Sequence, residues 1–411
     1  MKKIISSILI LWVTQTLLFV GNVEADDKTI HIYQDADLSI HSQSSKAIQL
    51  GIEVAFAEVN NEINGNKILF KYLDHRGNVL RSKRNYKAFI NDPNALVLYS
   101  GIHSPPLINN RKFINESKAL TLVPWAAGAP ITRYPSKENW IFRLSIDDMQ
   151  AGGMIIDYAM KNQQCRKPQL LLENTPWGNS NLVNMSKALK FYDIQSPQVT
   201  RFNLSVKAKG AQVLTDSIIN QGSDCIILVS NAVEGAVFAN VMLEVPRSKR
   251  LPIISHWGIT SGDLHEKIDA KAREGLALHF IQSCFAFTNE TQTPLANQVF
   301  SQLIEHTKGT IKDPADLQSA VGFIHAYDLT KLLIQAIKQS KLTGNTLKDR
   351  NTIRLALEDL SNPVQGLIKT YDKPFSVFDS VLNNKAHEAL NASDYCMGYY
   401  GAMDEIIIIN E

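Results

Sequence analysis

The chain has 411 residues, and its 42 basic and 40 acidic side chains leave a formal net charge of +2. This near balance argues against a nucleic-acid partner and against an anionic membrane surface. The length is sufficient for two or three domains, each with a sizeable core.

Residues 1–25 have the pattern of an export signal. The basic pair Lys2-Lys3 precedes an apolar run, Ile4 to Val20, and Val23-Glu24-Ala25 resembles a cleavage site. We therefore expect the mature chain to begin near Asp26. An uncleaved membrane anchor is the alternative, since the run is about long enough to span a bilayer, but polar residues interrupt it. A soluble exported protein needs a second membrane or a wall to retain it, which favours the periplasm of a Gram-negative bacterium.

Strand and helix patterns alternate through most of the chain, which is typical of parallel sheets covered by helices on both faces. An apolar face at spacings of three and four predicts a helix from Ser44 to Ile63. Asp147 or Asp148 is expected to begin another helix, which runs to about Lys161. Two sets of about four strand–loop–helix units predict two α/β lobes whose loops face each other across a cleft. The segments 363–379 and 405–409 are expected to form a short hairpin and a weak strand.

The segment 92–132 is the most informative part of the sequence. It contains an apolar strand (Ala95 to Tyr99), a loop, a helix-length stretch, a second strand (Ala119 to Pro124) and a loop of small residues (Ala126 to Ala129). Ligands bind in open α/β sheets at the carboxyl ends of the strands, where both loops are predicted to lie. Small residues there let the backbone approach a ligand closely.

No catalytic constellation is recognisable, so we predict a binding protein and not an enzyme. The sequence lacks the common nucleophile, zinc-protease and phosphate-loop motifs. The ten histidines are scattered, and His31, His41 and His75 show no metal-ligand spacing. We therefore expect no catalytic residue, no metal and no cofactor.

Aromatic and polar residues at strand ends are the candidate ligand contacts. Trp125, Trp177 and Trp257 each follow an apolar strand in a separate unit, and tryptophan offers a large amphipathic contact surface. The alternative is that they fill space between lobes or cap strand ends. Ser104 offers a hydroxyl donor beside backbone N–H groups, although it is equally suited to begin the helix that follows. Asn231 lies in another strand-end loop and completes the set.

Four cysteines, Cys165, Cys225, Cys284 and Cys396, permit disulfides in an oxidising compartment, although buried free thiols are an equally good interpretation. Cys165 and Cys225 each lie at or shortly before the start of a strand. The first and third strands are neighbours in the winding order expected here, so this pair is the favoured disulfide.

Taken together, several segments resemble the leucine/isoleucine/valine-binding class of type I periplasmic binding proteins, which are components of ABC transporters. The resemblance covers essentially the whole mature chain, and the order and spacing of the segments carry it. The segments are AIQLGIEVAFAEVN, NGNKILFKYLD, VLYSGIHSPP, ALTLVPWAAGAPIT, NWIFRLSIDDMQAGGMIIDYAM and LLLENTPWGNS.

The resemblance implies an α/β fold of two Rossmann-like lobes with parallel sheets, joined by three crossovers and closing on a ligand in the cleft. The crossovers are expected near Leu144, Gln282 and Gly366. Lobe 1 would then comprise 26–144 and 283–365, and lobe 2 would comprise 145–282 and 366–411.

Residue by residue, Ser104 matches the serine that holds a ligand α-carboxylate in this family, and Trp177 matches a stacking aromatic. Ala126 and Ala127 match the small-residue loop, where alanine replaces a threonine that usually contacts the ligand. Trp257 falls near the place of an acidic residue that often pairs with the ligand ammonium. These departures disfavour a standard branched-chain amino acid and favour an aromatic or aliphatic carboxylate, or another weakly polar molecule.

Two functions follow from the resemblance. The first is a solute-binding protein that captures a small, amino-acid-like or carboxylate ligand and delivers it to an inner-membrane ABC permease. The alternative is a periplasmic receptor of the same fold that signals to a membrane sensor.

Overall fold

The computed structural model describes residues 28–262 and 264–409. The predicted signal at 1–25 lies outside this part of the chain. Among the described residues, no helix is both long and apolar enough to cross a bilayer.

The first lobe is built on a six-stranded sheet in the order β2-β3-β1-β4-β5-β6, in which all neighbours except β2 and β3 are parallel. Its strands are β1 (Thr29–Ala36), β2 (Glu62–Ile63), β3 (Asn66–Asp74), β4 (Ala95–Ser100), β5 (Thr121–Val123) and β6 (Ile141–Arg143). The helices that cover it are α1 (Ser42–Ala57), α2 (Val79–Asn91), α3 (Ser104–Glu116), α10 (Pro294–His306), α11 (Ala320–Lys338) and α12 (Thr346–Glu358). Strand β4 is buried along its whole length, which explains its continuous apolar pattern.

The second lobe is built on a seven-stranded sheet in the order β15-β14-β11-β10-β9-β7-β8. Its strands are β7 (Pro168–Glu173), β8 (Gln198–Phe202), β9 (Cys225–Val229), β10 (Ile253–Ser255), β11 (Leu278–Ser283), β14 (Tyr395–Tyr400) and β15 (Ile406–Ile409). Its helices are α4 (Asp148–Lys161), α5 (Pro176–Lys190), α6 (Ala208–Asn220), α7 (Ala232–Glu244), α8 (Leu264–Lys267) and α9 (Ala270–Arg273). Strands β7 to β11 are parallel, whereas β14 and β15 extend the sheet in antiparallel fashion.

The predicted helix from Ser44 to Ile63 is wrong at its carboxyl end. Helix α1 ends at Ala57, and the left-handed backbone of Asn60 (φ 55°) and Asn61 (φ 52°) turns the chain into β2. Asparagine tolerates this conformation better than most residues, so the local turn prevailed over the apolar spacing.

The predicted start of α4 is confirmed, since the Asp147 side chain accepts a hydrogen bond from the Gln150 N–H and caps the helix. The predicted hairpin is also present, as β12 (Val364–Gln365) paired antiparallel with β13 (Thr370–Tyr371). Strand β15 was expected, but its partner β14 was not.

The predicted Cys165–Cys225 disulfide is confirmed, with 5.9 Å between the Cα atoms. It joins the segments that lead into β7 and β9, which are hydrogen-bonded neighbours. A second disulfide, Cys284–Cys396, joins the end of β11 to β14. The sequence did not indicate this second pairing.

The chain leaves the first sheet after β6 and returns from the second sheet after β11. Residues 387–390 then hydrogen-bond along the end of β6, through Arg143 and Leu144. We therefore propose that the third crossover lies just before Tyr395 and not near Gly366. The lobe boundaries themselves stay a proposal.

Candidate functional site

Two loops at the carboxyl edge of the first sheet meet at Ser104. The Gly128 N–H donates to Ser104 Oγ over 3.1 Å. A side chain at Gly128 would bring its Cβ within 2.8 Å of Ile108 Cδ1 and 3.1 Å of Ser104 Cβ, so any larger residue there would require these neighbours to shift. Ser104 Oγ accepts the bond and thus keeps its own proton for another acceptor.

The small-residue loop after β5 also contacts the second lobe. The Ala129 N–H donates to Ser180 Oγ over 3.3 Å, and the Asp148 N–H donates to the Ala127 carbonyl over 2.9 Å. The side chain of Ala126 is buried in a core cluster of the first lobe, and that of Ala127 in the larger core that includes residues of both lobes. The loop thus forms these hydrogen bonds to the second lobe through its backbone.

Trp177 occupies the first turn of α5 and is held by Asp148 at the start of α4. Its Nε1–H donates to Asp148 Oδ1 over 3.0 Å, and Asn181 Nδ2 donates to the same oxygen over 2.8 Å. The His256 ring meets the Trp177 ring edge to face, with 5.1 Å between centroids. These contacts fix the orientation of the indole.

Gly258, which directly follows Trp257, contacts both Trp177 and Asn231. A Cβ on Gly258 would lie 2.9 Å from Trp177 Cη2 and 3.0 Å from Asn231 Oδ1, so the glycine leaves room for both side chains. The Trp257 ring lies 3.8 Å from the His256 ring and 5.4 Å from the Tyr395 ring, measured between centroids. The structure thus brings three of the predicted contacts together on the second lobe.

Trp125 does not join this group. It packs inside the first lobe against α11, where a Cβ on Gly322 would lie 3.1 Å from its ring. In this structure the Trp125 ring fills space in the protein interior, which was the alternative to a ligand contact.

Several buried polar atoms beside Trp177 have no hydrogen-bond partner among the described residues. They include Asp148 Oδ2, Asn181 Oδ1 and Trp257 Nε1. Buried polar groups in proteins are nearly always hydrogen-bonded, because an unpaired one costs roughly 1–3 kcal/mol. These three atoms offer two acceptors and one donor to a bound molecule, and His256 Nε2 is a further unpaired atom beside them.

His256 adds a neutral ring to this group. Its Nδ1 accepts from the Gly258 N–H over 3.4 Å, which places the ring proton on Nε2, 3.6 Å from Asp148 Oδ1. Burial lowers the pKa of His256, although the nearby Asp148 opposes that shift.

A separate small cavity lies farther along the interface between the lobes, with a volume of about 40 Å³. Thr260, three residues beyond Trp257, is part of its wall, together with apolar side chains from both lobes. Gln282 Nε2 and Ser319 Oγ also lie in its lining residues, and neither atom has a partner among the described residues.

His325 connects the two lobes on the other side of Trp257. Its Nδ1 lies 3.0 Å from the Pro124 carbonyl, and its Nε2 lies 3.5 Å from the hydroxyl of Tyr395. Burial lowers the pKa of His325 to about 4, whereas its bond to Pro124 raises it. The interlobe contact is therefore made by a neutral imidazole.

We expect the lobe interface to lose stability in acid through His325. Because the folded-state pKa lies below the value of about 6.5 in the unfolded chain, the stabilisation is present above pH 6.5 and is lost as the pH falls towards 4. His325→Gln should reduce the loss of unfolding free energy between pH 7 and pH 4 by roughly 2–3 kcal/mol. Urea unfolding at both pH values measures this, and equal losses in variant and wild type would contradict it.

Sequence reasoning missed Asp148, Asn181 and His256 as site residues. Asp148 was interpreted only as a helix start, and that role falls to its neighbour Asp147. His256 directly precedes Trp257, so its position just past a strand was a usable signal. Asn181 follows Trp177 by one helical turn, which places both on one face of α5.

Comparison with known proteins identifies the fold. The sequence profile described as "Periplasmic binding protein" matches residues 39–374. A search of curated proteins finds no match. Solved structures match over 93% of this chain, among them a periplasmic binding protein type 1 from Bordetella pertussis Tohama I, at 17% identity, TM-score 0.73 and 100% of that chain.

Two further similar structures have named ligands or ligand classes. A solute-binding protein of an ABC transporter from R. palustris, in complex with 4-hydroxybenzoate, has TM-score 0.75 at 17% identity, and the match covers 93% of this chain and 96% of that one. A leucine-binding protein from Thermotoga maritima has TM-score 0.72 at 15% identity, with 93% and 98% covered. The two-lobed α/β fold predicted from the sequence is confirmed. Since the profile spans most of the chain and the solved relatives share its overall fold, this protein belongs to the periplasmic binding protein family and has the type I fold.

Proposed function

We propose that this protein is an exported solute-binding protein, which captures a small molecule between its lobes and delivers it to an inner-membrane ABC permease. The observation that carries the proposal is the set of unpaired polar atoms beside Trp177, buried where the second lobe meets the first. A binding protein that closes over its ligand needs such a desolvated, preformed set of partners. The family and the ABC solute-binding proteins among the similar structures support this role.

The chemistry of the cleft favours a ligand with a carboxylate at one end and a hydroxyl or ammonium group at the other. The Ser104 hydroxyl and the Trp257 Nε1–H are donors suited to a carboxylate. Asp148 Oδ2 is an acceptor suited to a hydroxyl or ammonium group. Trp177 supplies the apolar surface between them.

Aromatic hydroxy acids and amino acids both meet this description. 4-Hydroxybenzoate, the ligand of the similar R. palustris protein, carries a carboxylate and a phenol at opposite ends of an apolar ring. An amino acid would place its ammonium at Asp148, which supplies the acidic group that is missing at Trp257. Asp148 thus makes an amino-acid-like ligand acceptable despite the substitution at Trp257.

A thermal-shift screen of aromatic acids, amino acids and aliphatic acids should identify the ligand. A ligand at 100 times its dissociation constant should stabilise the protein by about 2.7 kcal/mol. Trp177→Ala should then weaken binding by about 2 kcal/mol or more, which is roughly a 30-fold rise in dissociation constant. Calorimetry of the purified variant measures this.

Phe191→Ala is the matched control, because this aromatic residue ends the same helix α5 but is 88% exposed. Its affinity should equal that of the wild type. Equal ligand affinities in the wild type, Trp177→Ala and Phe191→Ala would remove Trp177 from the site. The absence of any ligand in the screen would count against solute binding. Loss of ligand uptake in a strain that lacks the protein tests delivery to a permease.

We further propose that the signal at 1–25 is cleaved on export to the periplasm. Its basic start, apolar run and small-residue site support this, and so does membership of a periplasmic family. Amino-terminal sequencing of protein from the periplasmic fraction should begin near Asp26. Recovery of intact Met1 in the membrane fraction would show an anchored protein instead.

A further inference from the structure

Three side chains that can ligate a metal converge at the carboxyl edge of the first sheet. Asp37 directly follows β1, His41 directly precedes α1, and His103 directly precedes α3. Strands β1 and β4 are hydrogen-bonded neighbours, so the loops that follow them meet. Asp37 and His41 lie at least 62 positions before His103 in the sequence, so no short spacing motif indicated the three residues.

The distances among these groups suit a small divalent metal. One potential ligand atom from each of the three side chains lies within 4.8 Å of the other two. Asp37 Oδ2 and His103 Nε2 are 3.3 Å apart. Tetrahedral zinc, with bonds of about 2.0–2.1 Å, places its ligand atoms about 3.3–3.4 Å apart. Two imidazoles and one carboxylate are also a donor set that zinc-like metals prefer.

The Asp37 carboxylate is oriented by the backbone around it. Its Oδ1 accepts from the N–H groups of Ser39 and Ile40, over 3.2 and 2.9 Å, which leaves Oδ2 directed to His103. The carboxylate is thus held in place, as a metal ligand must be.

His75 lies beside the cluster but is not a ligand in this arrangement. Its Nδ1 accepts from the Gly77 N–H over 2.9 Å, so a neutral ring carries its proton on Nε2. Asp37, His41 and His103 therefore remain as the three protein ligands.

We propose that Asp37, His41 and His103 form a binding site for a divalent metal of the zinc class at the carboxyl edge of the first sheet. This site is independent of which organic ligand the cleft accepts.

Titration of tag-free, chelator-treated protein with zinc chloride in a calorimeter tests the site directly. We expect one equivalent of zinc per chain, and cobalt(II) should give the intense visible absorption of a four-coordinate complex. His103→Gln should raise the dissociation constant for zinc by about 100-fold or more, since even changes to outer-shell partners cost 10–100-fold.

His306→Gln is the matched control. His306 Nε2 also pairs with a carboxylate, Glu53 Oε2 at 2.8 Å, but belongs to neither candidate cluster of metal-ligating side chains among the described residues. Its zinc affinity should equal that of the wild type. If His103→Gln does not fold, as judged by its melting curve, His41→Gln replaces it. Absence of stoichiometric zinc binding, or equal affinity in wild type and ligand variants, would overturn the proposal.

Discussion

Replacing Asp328 with alanine should lower the free energy of unfolding by about 3–6 kcal/mol. Asp328 lies inside α11 and is fully buried. Its Oδ1 accepts from the Leu367 N–H over 2.6 Å, and its Oδ2 accepts from the Ile368 N–H over 3.0 Å and the Tyr371 hydroxyl over 2.8 Å. Alanine would leave three buried donors without an acceptor, at a cost of roughly 1–3 kcal/mol each.

The structural effect should be local to the β12–β13 hairpin. Asp328 hydrogen-bonds this hairpin to α11, and the chain runs from the hairpin to the segment that pairs with β6 and on to β14. Loss of Asp328 should therefore loosen the path by which the chain re-enters the second lobe. Asp328→Asn keeps one acceptor oxygen and should recover part of the stability.

Urea unfolding followed by circular dichroism measures the effect. Asp359→Ala is the matched control, because the Asp359 side chain forms an exposed ion pair with Lys373, at 2.7 Å, and the other hydrogen bonds described for Asp359 involve its backbone. Exposed pairs of this kind contribute about 0–1 kcal/mol. A loss below about 1 kcal/mol in Asp328→Ala would show that the hairpin is held by other contacts.

The sequence predicted those parts of the fold that local patterns determine. The unit from β4 to the loop after β5 was recognisable because buried parallel strands are continuously apolar and end in small-residue loops. The start of α4 was recognisable because Asp147 is an N-cap. Strand β14 was missed because its sequence, YCMGYY, lacks the alternation of a half-buried strand and contains a glycine.

The candidate site was predictable only in part, because its contacts join distant segments. Strand-end position indicated Ser104, Trp177, Asn231 and Trp257, whose role in ligand binding stays a prediction. It could not show that Asp148 holds Trp177, since the two residues are 29 positions apart. It also assigned Trp125 to the cleft, although its ring packs against Gly322, in a helix about 200 residues later whose placement only the tertiary fold determines.

Among covalent changes, removal of the Cys284–Cys396 disulfide should cause the largest loss of unfolding free energy. Cys284 directly follows β11, where the chain leaves the second lobe, and Cys396 lies in the neighbouring strand β14. The bond closes a loop of 112 residues. Loop-closure entropy for that length corresponds to about 5 kcal/mol, and measured losses for native disulfides are about 2–5 kcal/mol. The Cys284→Ser/Cys396→Ser double variant should lose stability within this range.

Comparison with the Cys165→Ser/Cys225→Ser double variant separates the entropic contribution from local packing. That disulfide spans only 60 residues, so loop entropy alone predicts a loss about 0.6 kcal/mol smaller. Urea unfolding of both variants, with and without dithiothreitol, measures the difference. Dithiothreitol should destabilise the wild type, whereas a variant lacking both disulfides should not respond to it. An unaltered midpoint in Cys284→Ser/Cys396→Ser would mean that β11 and β14 are held together by their backbone pairing and packing, and that the crossover beside them does not need the covalent bond.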